Sequence, residues 1–215
     1  MNFLQFVLKS VKFSPVRLFQ YDELQKNELR GKVLDLGGGS VSSYTALCKG
    51  SFDVTSVNID PKTKPTVVGD ITKPLPFRDG SFDAVVSLNT FEHIFDFNVP
   101  VSEAFRVLKK GGKFIFSTPF LKEVHSSPDD YWRFTASAFQ TLLRKKGFHA
   151  VEIVVLGKGI FVARYSLMYG IIPSLLKPFF AGWAWFVDKI LSVSSRYRKV
   201  AVNYALGYFV YAEKP

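Results

Sequence analysis

Short apolar runs alternate with amphipathic stretches along most of the chain. Six runs have the continuous or period-two apolar pattern of β-strands, at Lys32–Leu36, Asp53–Ile59, Thr66–Val68, Phe82–Leu88, Lys113–Ser117 and Val151–Leu156. Three amphipathic stretches predict helices that are each followed by a glycine, at Ser40–Lys49, Val101–Lys110 and Ala136–Lys146. This order predicts an α/β fold, a doubly wound and mostly parallel sheet with helices on both faces.

The end of the chain departs from this alternation. A last strand is predicted at Tyr204–Ala212, and residues 157–203 before it form an insertion rich in aromatic and basic side chains. An apolar stripe at helical spacing runs through Leu176, Phe180, Trp183, Val187 and Ile190. Three arrangements remain open for this stripe: a helix in the interface of an anionic membrane, a cap on the substrate site or dimer surface, and a membrane span, which prolines and a lysine interrupt.

The composition narrows the class of protein. The 215 residues are 47% hydrophobic and 21% charged, which excludes a disordered or collagen-like chain. No linker divides the chain, so one domain is expected over residues 1–215, with its core at 32–156. The single Cys48 excludes a disulfide framework and a multi-cysteine metal site, and no metal site is predicted. Since no signal peptide is recognisable, we expect a cytoplasmic protein, peripheral at the inner face of the membrane if the insertion binds lipid.

The net charge of +10 is unevenly distributed. Half of the excess falls in residues 151–215, which carry eight basic and three acidic side chains, and the middle of the chain is nearly neutral. A nucleic-acid groove would need basic residues along the core, so nucleic acid is not an expected partner. The basic end of the chain suits the phosphates of a lipid surface, or serves solubility alone.

Three glycines, Gly37–Gly39, follow the first predicted strand in the sequence VLDLGGGS. Glycine permits a tight turn and lets a ligand approach the backbone, and a helix N-terminus offers free N–H groups. Acidic residues end the first three strands, at Asp35, Asp60 and Asp70. The ends of parallel strands share one edge of the sheet, where Asp35 suits a cationic ligand and Asp60 can accept two ribose hydroxyls.

These residues resemble the class I S-adenosylmethionine-dependent methyltransferases, a broad family that includes small-molecule and lipid methyltransferases. The resemblance covers about residues 32–155. It is carried by the segments VLDLGGGS, NID, GDITKPLPFRDGSFDAVVSLNTFEHI and RVLKKGGKFIFSTP. It implies a seven-stranded Rossmann-like sheet and S-adenosylmethionine as the cofactor.

The resemblance also implies a set of cofactor contacts. The backbone after Asp35 would face the methionine part of the cofactor, Asp60 the ribose and Asp70 the adenine. The full implied set is Asp35, Gly37, Gly38, Gly39, Asp60, Asp70, Ile71 and Asn89. Two features depart from the family pattern: Val41 stands where a third patterned glycine is expected, and only five residues separate Asp60 from the next strand.

The segment PFLKEVHSSPDDYWRF, residues 119–134, is long for a connection in a compact domain. It is similar, more loosely, to a segment of methyltransferases encoded with cell-surface glycan enzymes. We expect a lid in which His125 or Asp129 faces the acceptor as a general base. The alternative is that the acidic pair caps a turn while the aromatic residues pack on the sheet. Glu92 and His93, in the family sequence EHI, are expected to begin a helix near the cofactor, with Glu92 favoured by the helix dipole.

The favoured function is S-adenosylmethionine-dependent methyl transfer to a small, glycan or lipid-linked acceptor. Asn89–Glu92 lacks the Asn/Asp-Pro-Pro-aromatic run that suits amine acceptors, which favours oxygen or carbon. The alternatives are an RNA or protein methyltransferase, supported by the net charge, and a non-catalytic cofactor-binding module. A nicotinamide-dependent dehydrogenase is least favoured, because the last glycine of that fingerprint is absent after Gly39. The sequence does not fix the oligomeric state.

Overall fold

A seven-stranded sheet forms the centre of the computed structural model, which describes residues 1–40, 45–126 and 128–215. The strands are β1 Gly31–Leu36, β2 Phe52–Asn58, β3 Val67–Val68, β4 Phe82–Leu88, β5 Leu108–Pro119, β6 His149–Leu156 and β7 Gly207–Glu213. They lie in the order β3-β2-β1-β4-β5-β7-β6. The first five run parallel, and β7 is antiparallel to both of its neighbours. The predicted fold class, a mostly parallel Rossmann-like sheet, is confirmed.

Helices flank the sheet and complete the fold. They are α1 Phe3–Lys9, α2 Pro15–Leu24, α3 Asn98–Val107, α4 Ala136–Lys145, α5 Ile160–Met168, α6 Lys177–Leu191 and α7 Ser195–Ala201. Single 3₁₀ turns lie at Thr45–Leu47, Pro61–Thr63, Phe91–His93 and Ser174–Leu176. The short turn Pro61–Thr63 takes the place of a helix between β2 and β3, as the five-residue spacing predicts.

The helix predicted at Ser40–Lys49 is wrong over its second half. Only the 3₁₀ turn Thr45–Leu47 forms there, and Lys49 already runs beside the chain that precedes β1. The Leu29 N–H donates to the Lys49 carbonyl at 2.8 Å. This extended pairing takes the backbone groups that a helix would need. Residues 41–44 of the predicted helix lie outside the described residues.

The helix predicted at Val101–Lys110 begins and ends three residues earlier, as α3. Leu108 is instead the first residue of β5 and pairs with Phe82 of β4. It is fully buried. The apolar side chain that suggested another helical turn therefore fills the core as part of an extended strand.

Each face of the sheet is covered by its own apolar core. On one face, α4 packs through Phe139 against Phe116 of β5. On the other, α1, α2, α5 and α6 cover Val33 of β1 with side chains that include Phe6 and Val162. The insertion at residues 157–203 is therefore part of the second core, since it supplies both α5 and α6.

The sequence left open what covers the predicted apolar stripe, and the fully buried side chains of α6 lie outside that stripe. They are Ala181, Ala184 and Asp188. Two members of the predicted stripe, Trp183 and Ile190, are about half exposed and belong to an outward stripe at helical spacing. This stripe comprises Phe179, Trp183, Phe186 and Ile190. No helix within the described residues combines the length and the apolar character needed to cross a bilayer.

Candidate active site

The glycine turn after β1 is fixed by hydrogen bonds to the neighbouring strand. The Gly37 N–H donates to the Val57 carbonyl at 2.8 Å, and Asn58 Nδ2 donates to the Gly37 carbonyl at 2.7 Å. Gly37 has φ +87°, a conformation that other residues rarely adopt. A Cβ there would also meet Thr90 Oγ1 at 2.3 Å. The turn therefore requires glycine at this position on two grounds.

Asp35 lies beneath the turn and is fully buried. It sits in the centre of the sheet, paired with Ser56 of β2 and Val86 of β4. A Cβ on Gly38 would come within 1.7 Å of its Oδ2 atom. The carboxylate thus lies against the glycine backbone, and the glycines form the surface that a ligand would meet.

Two adjoining cavities open at the carboxyl edge of the parallel strands, with volumes of about 570 and 630 Å³. Gly37, Asn58, Thr63 and Asn89 line both of them. The first cavity continues along the turn to Gly38, Gly39 and the three cationic residues Arg17, Lys62 and Lys64. The second continues to Asp60, Asp70, Ile71 and His93. The structure therefore brings together every implied cofactor residue except the buried Asp35 along one continuous surface.

The two carboxylates of the second cavity are oriented by local turns. Asp60 Oδ1 accepts from the Lys62 N–H at 2.9 Å. Asp70 Oδ1 accepts from the N–H and the hydroxyl of Thr72, at 2.9 and 2.7 Å. The hydrogen bonds from Thr72 hold the pKa of Asp70 below its usual value. Both carboxylates are thus fixed in position at this edge.

Asn89 connects the cavities to α2, a helix that the sequence analysis did not predict. Gln20 Nε2 donates to Asn89 Oδ1 at 2.6 Å and to Ser117 Oγ at 3.0 Å. Gln20 is almost fully buried, so this contact fixes the Asn89 amide from behind. A sequence signal was available: Ser14-Pro15 before an apolar stripe is typical of a helix start.

The segment 119–134 is held over the turn Phe91–His93. The Tyr131 N–H donates to the Glu92 carbonyl at 2.8 Å, and Trp132 Nε1 donates to the Ile94 carbonyl at 3.1 Å. Arg133 donates to both oxygens of Asp130 at 2.5 and 2.7 Å, which keeps the pKa of that carboxyl well below its usual range. Trp132 therefore packs against the core as the alternative interpretation predicts, whereas Tyr131 is exposed. The segment also carries His125 to within 3.8 Å of Glu92.

The neighbouring residues Glu92 and His93 meet His125, which lies far along the sequence, under this segment. Glu92 Oε1 lies 3.8 Å from both His93 Nε2 and His125 Nε2. Glu92 is fully buried, and burial, together with the nearby Asp130 carboxylate, raises the pKa of its carboxyl to about 8. The sequence analysis assigned Glu92 to a helix start, but only a 3₁₀ turn forms there. No local sequence pattern around Glu92 indicates that its carboxylate is buried.

The side chain of Asp129, the second predicted catalytic residue, does not join the cluster that His125 forms with Glu92 and His93. Its carboxylate is exposed and accepts from the Tyr131 hydroxyl at 3.0 Å. Its backbone carbonyl lies 2.6 Å from His93 Nδ1. Asp129 therefore contacts the site only with its backbone carbonyl, which orients His93, and its carboxylate does not line either cavity.

Comparison with known proteins agrees with this geometry. Residues 34–116 match a family described as a methyltransferase domain. A demethylmenaquinone methyltransferase of Corynebacterium efficiens is 36% identical over 101 residues, which cover 42% of this chain and 44% of that protein. The matched regions span between 36% and 54% of the curated relatives considered.

Solved structures share the fold across nearly the whole chain. Phosphoethanolamine N-methyltransferase 2 of Haemonchus contortus has a TM-score of 0.60 at 17% identity, covering 98% of this chain and 56% of its own. A methyltransferase of Archaeoglobus fulgidus has a TM-score of 0.56 at 16% identity, covering 93% and 92%. Residues 34–116 therefore match a methyltransferase domain, and the chain shares the fold of solved methyltransferases.

Proposed function

We propose that this protein transfers a methyl group from S-adenosylmethionine to an oxygen or carbon of a small or lipid-linked acceptor. The observation that carries the proposal is the continuous surface from the glycine turn to Asp60, Asp70 and His93. When bound, the cofactor supplies an electrophilic methyl group on a sulfonium sulfur. The protein must orient the acceptor and exclude water around that group.

The residues present fit this cofactor. The backbone at Gly37–Gly39 meets the cavity without a side chain, and Asp60 and Asp70 present fixed carboxylates for the ribose and the adenine. Asn89 lines both cavities and is held by Gln20, which suits a residue beside the reacting end of the cofactor. His125 and His93 then stand on the acceptor side, and Asp129 orients His93 through its carbonyl.

The first cavity supports an acceptor that carries an anionic group. Arg17, Lys62 and Lys64 line it, and no acidic residue is among its described lining side chains. A phosphate, such as that of a lipid carrier, would pair with these cations. The Corynebacterium efficiens relative is named for demethylmenaquinone, which supports an apolar acceptor body.

Cofactor binding is the first test. Titration calorimetry with S-adenosylhomocysteine should show one site, and Asp60→Asn should weaken it about 10- to 100-fold because a charged acceptor of hydrogen bonds is lost. Asp53→Asn, at an exposed position on β2, is the matched control and should bind as the wild type does. No binding at millimolar S-adenosylhomocysteine would refute the proposal.

The acceptor class is tested by where the methyl group goes. Purified protein with radiolabelled S-adenosylmethionine and a membrane extract should label lipid-soluble products, with little label in RNA or protein fractions. Arg17→Glu should reduce labelling of phosphate-bearing lipids more than it weakens S-adenosylhomocysteine binding. Label confined to RNA or protein would instead support the alternative acceptors.

We further propose that the outward face of α1 and α6 contacts an anionic bilayer, from which the acceptor is drawn. Phe3, Leu4 and Leu8 of α1 are about half exposed or more, and they adjoin the outward stripe of α6 through Phe3, which approaches Gly182. The insertion has seven basic residues, and its one acidic residue, Asp188, is buried. Exposed apolar rings among cations are the composition of an interfacial helix.

Vesicle flotation tests this contact. Binding should require an anionic phospholipid such as phosphatidylglycerol and fall with added salt. Phe186→Ser and Lys189→Glu, both on the outward side of α6, should each weaken binding severalfold, while the control Lys145→Glu on α4 should not. Equal binding of all three variants, or none by the wild type, would exclude the lipid contact.

A further inference from the structure

Glu92, His93 and His125 form a cluster whose spacing is close to that of three ligands of one metal ion. The Nε2 atoms of both histidines lie 3.8 Å from Glu92 Oε1, and the three side chains can place one ligand atom each within 4.8 Å of the others. The imidazole rings meet edge to face, with centroids 5.1 Å apart. All three ligand atoms therefore surround one small volume.

Both histidines are held in the tautomer that leaves Nε2 free to bind a ligand. His93 Nδ1 lies 2.6 Å from the Asp129 carbonyl, which can only accept, so Nδ1 carries the hydrogen. His125 Nδ1 lies 3.1 Å from the Glu123 carbonyl and 3.2 Å from Asp130 Oδ2, which also only accept. In each neutral ring the Nε2 lone pair then faces Glu92. Metal-binding histidines are typically oriented through their other nitrogen in this way.

Glu92 supplies the second, independent observation. Its side chain is fully buried, and neither Oε atom has a hydrogen-bond partner within the described residues. Burial of a carboxyl group is unfavourable unless a cation or a hydrogen-bond donor compensates it. Neither histidine donates a hydrogen bond to Glu92, because 3.8 Å is too long for one.

We propose that Glu92, His93 and His125 bind one divalent transition-metal cation at the acceptor side of the site. Two imidazoles and one carboxylate suit Zn²⁺ or Fe²⁺, whereas Mg²⁺ and Ca²⁺ prefer all-oxygen sets. Two ligands at about 2.1 Å from a tetrahedral zinc ion lie about 3.4 Å apart. Small side-chain movements would therefore close the observed separations onto the ion.

The role of the cation rests on the proposed function. Three protein ligands leave at least one position open, and His93 lines the second cavity, so an acceptor that extends from the first cavity into the second would meet that position. A hydroxyl oxygen of the acceptor bound there has a lowered pKa, as metal-bound water does, and its proton is released to solvent before the oxygen is methylated. His125 is then a metal ligand and not the general base predicted from the sequence.

Metal binding can be measured without any acceptor. Full-length protein is stripped with a chelator and titrated with Zn²⁺ by calorimetry, and with Co²⁺ by visible absorption. One equivalent should bind, with the absorption of a four- or five-coordinate Co²⁺ site. Glu92→Gln, His93→Gln and His125→Gln should each weaken binding at least 100-fold, and Asp130→Asn, which acts through His125, about 10- to 100-fold.

His149→Gln is the matched control, because His149 is the third histidine of the chain and is exposed on β6. It should bind both ions as the wild type does. S-adenosylhomocysteine binding by each variant reports whether the fold is intact. Retained metal affinity in His125→Gln or Glu92→Gln with an intact fold, or the absence of stoichiometric binding by the wild type, would overturn the site. If Zn²⁺ binds but S-adenosylhomocysteine does not, the site stands and the proposed function fails.

Discussion

Gly38 is the glycine of the turn at which an added Cβ would come closest to a neighbouring atom, the Oδ2 atom of Asp35. Asp35 has no room to move, since it lies between β2 and β4 in the centre of the sheet. Any side chain at position 38 would therefore have to displace the turn itself. The position of the turn is thus determined by contact with the buried Asp35 carboxylate as well as by the conformations of its glycines.

Gly38→Ala tests this arrangement. The added Cβ would meet Asp35 Oδ2 at 1.7 Å, so the turn must shift away from the position that binds the cofactor. Overpacking of this size costs about 1–3 kcal/mol, and we expect S-adenosylhomocysteine to bind about 10- to 100-fold more weakly by calorimetry. Gly170→Ala, where a Cβ would meet nothing within 4 Å, is the control. Unchanged affinity in Gly38→Ala would show that the turn tolerates the shift.

The chemistry of Cys48 follows from its burial, which raises the pKa of the thiol to about 11. At pH 8 the folded chain therefore contains about 100-fold less thiolate than a cysteine of ordinary pKa. Labelling by a disulfide reagent should be correspondingly slow and should rise with pH toward 11. Ser51→Cys in a Cys48→Ser background places a thiol at an exposed position nearby and should react rapidly. A labelling midpoint near pH 9 for native Cys48 would contradict the prediction.

At the residue scale, the sequence located the residues at the strand ends far better than those around Glu92. Gly37, Asp60 and Asp70 sit at strand ends, and strand ends can be located from apolar runs alone. Glu92 could not be assigned in this way, because its burial depends on a segment that begins 27 residues later. The contact between His93 and the Asp129 carbonyl is equally non-local and involves no side-chain pattern.

At the scale of elements, one buried carboxylate joins the helices of the insertion. Asp188 of α6 accepts from the N–H groups of Phe161 and Val162, at 3.0 and 2.8 Å, and so caps the N-terminus of α5. It also accepts from the Tyr197 hydroxyl of α7. Gly159 packs against the same carboxylate, where a Cβ would meet its Cγ at 2.4 Å. Asp188 thus links three helices that have few other polar contacts.

Asp188→Ala should lower the free energy of unfolding by about 2–4 kcal/mol, because it removes a cap and leaves two N–H groups without their acceptor. Tyr197→Phe removes one hydrogen bond and should cost about 1 kcal/mol. Guanidinium unfolding curves measure both. Asp53→Ala, at an exposed position on β2, is the control. A change below about 0.5 kcal/mol in Asp188→Ala would mean that the helices hold together without the cap.

Elements with a local pattern were predicted well, and those defined by distant contacts were not. Ala136–Lys146 matches α4 within one residue, because Thr135 and Gly147 mark its ends within the sequence itself. The division between α3 and β5 at Leu108 depends on pairing with Phe82, and no local pattern marks it. Helices α1 and α2 were missed because they pack on distant parts of the chain: α1 contacts α6, and α2 contacts α5, β6 and β7.

At the scale of the whole molecule, the insertion and the N-terminal helices form one layer. α6 contacts α1, and α5 contacts α2, so the second face of the sheet is covered by elements from both ends of the chain. The rings of Phe6 and Phe19 pack against Trp185. Removing the insertion would expose this entire face.

Replacing the insertion, residues 157–203, with a short glycine–serine linker should therefore give an aggregated or molten protein. The expected readouts are strong binding of a hydrophobic dye and loss of near-ultraviolet circular dichroism. The same linker in place of Ser195–Ala201 alone, where no side chain is buried, should leave a native sheet. A folded, monomeric product of the longer replacement would show that the insertion is an appendage to a self-sufficient domain.

The interior position of β7 has a consequence for how the protein is made. The last strand of the chain lies between β5 and β6, so β6 has no partner in the sheet until β7 joins it. During translation, all of the helices α1 to α7 leave the ribosome before β7, the strand that joins β6 to the rest of the sheet. Until β7 has emerged, the nascent chain exposes the unpaired edges of β5 and β6, so this interval is the stage at which chaperones would bind it.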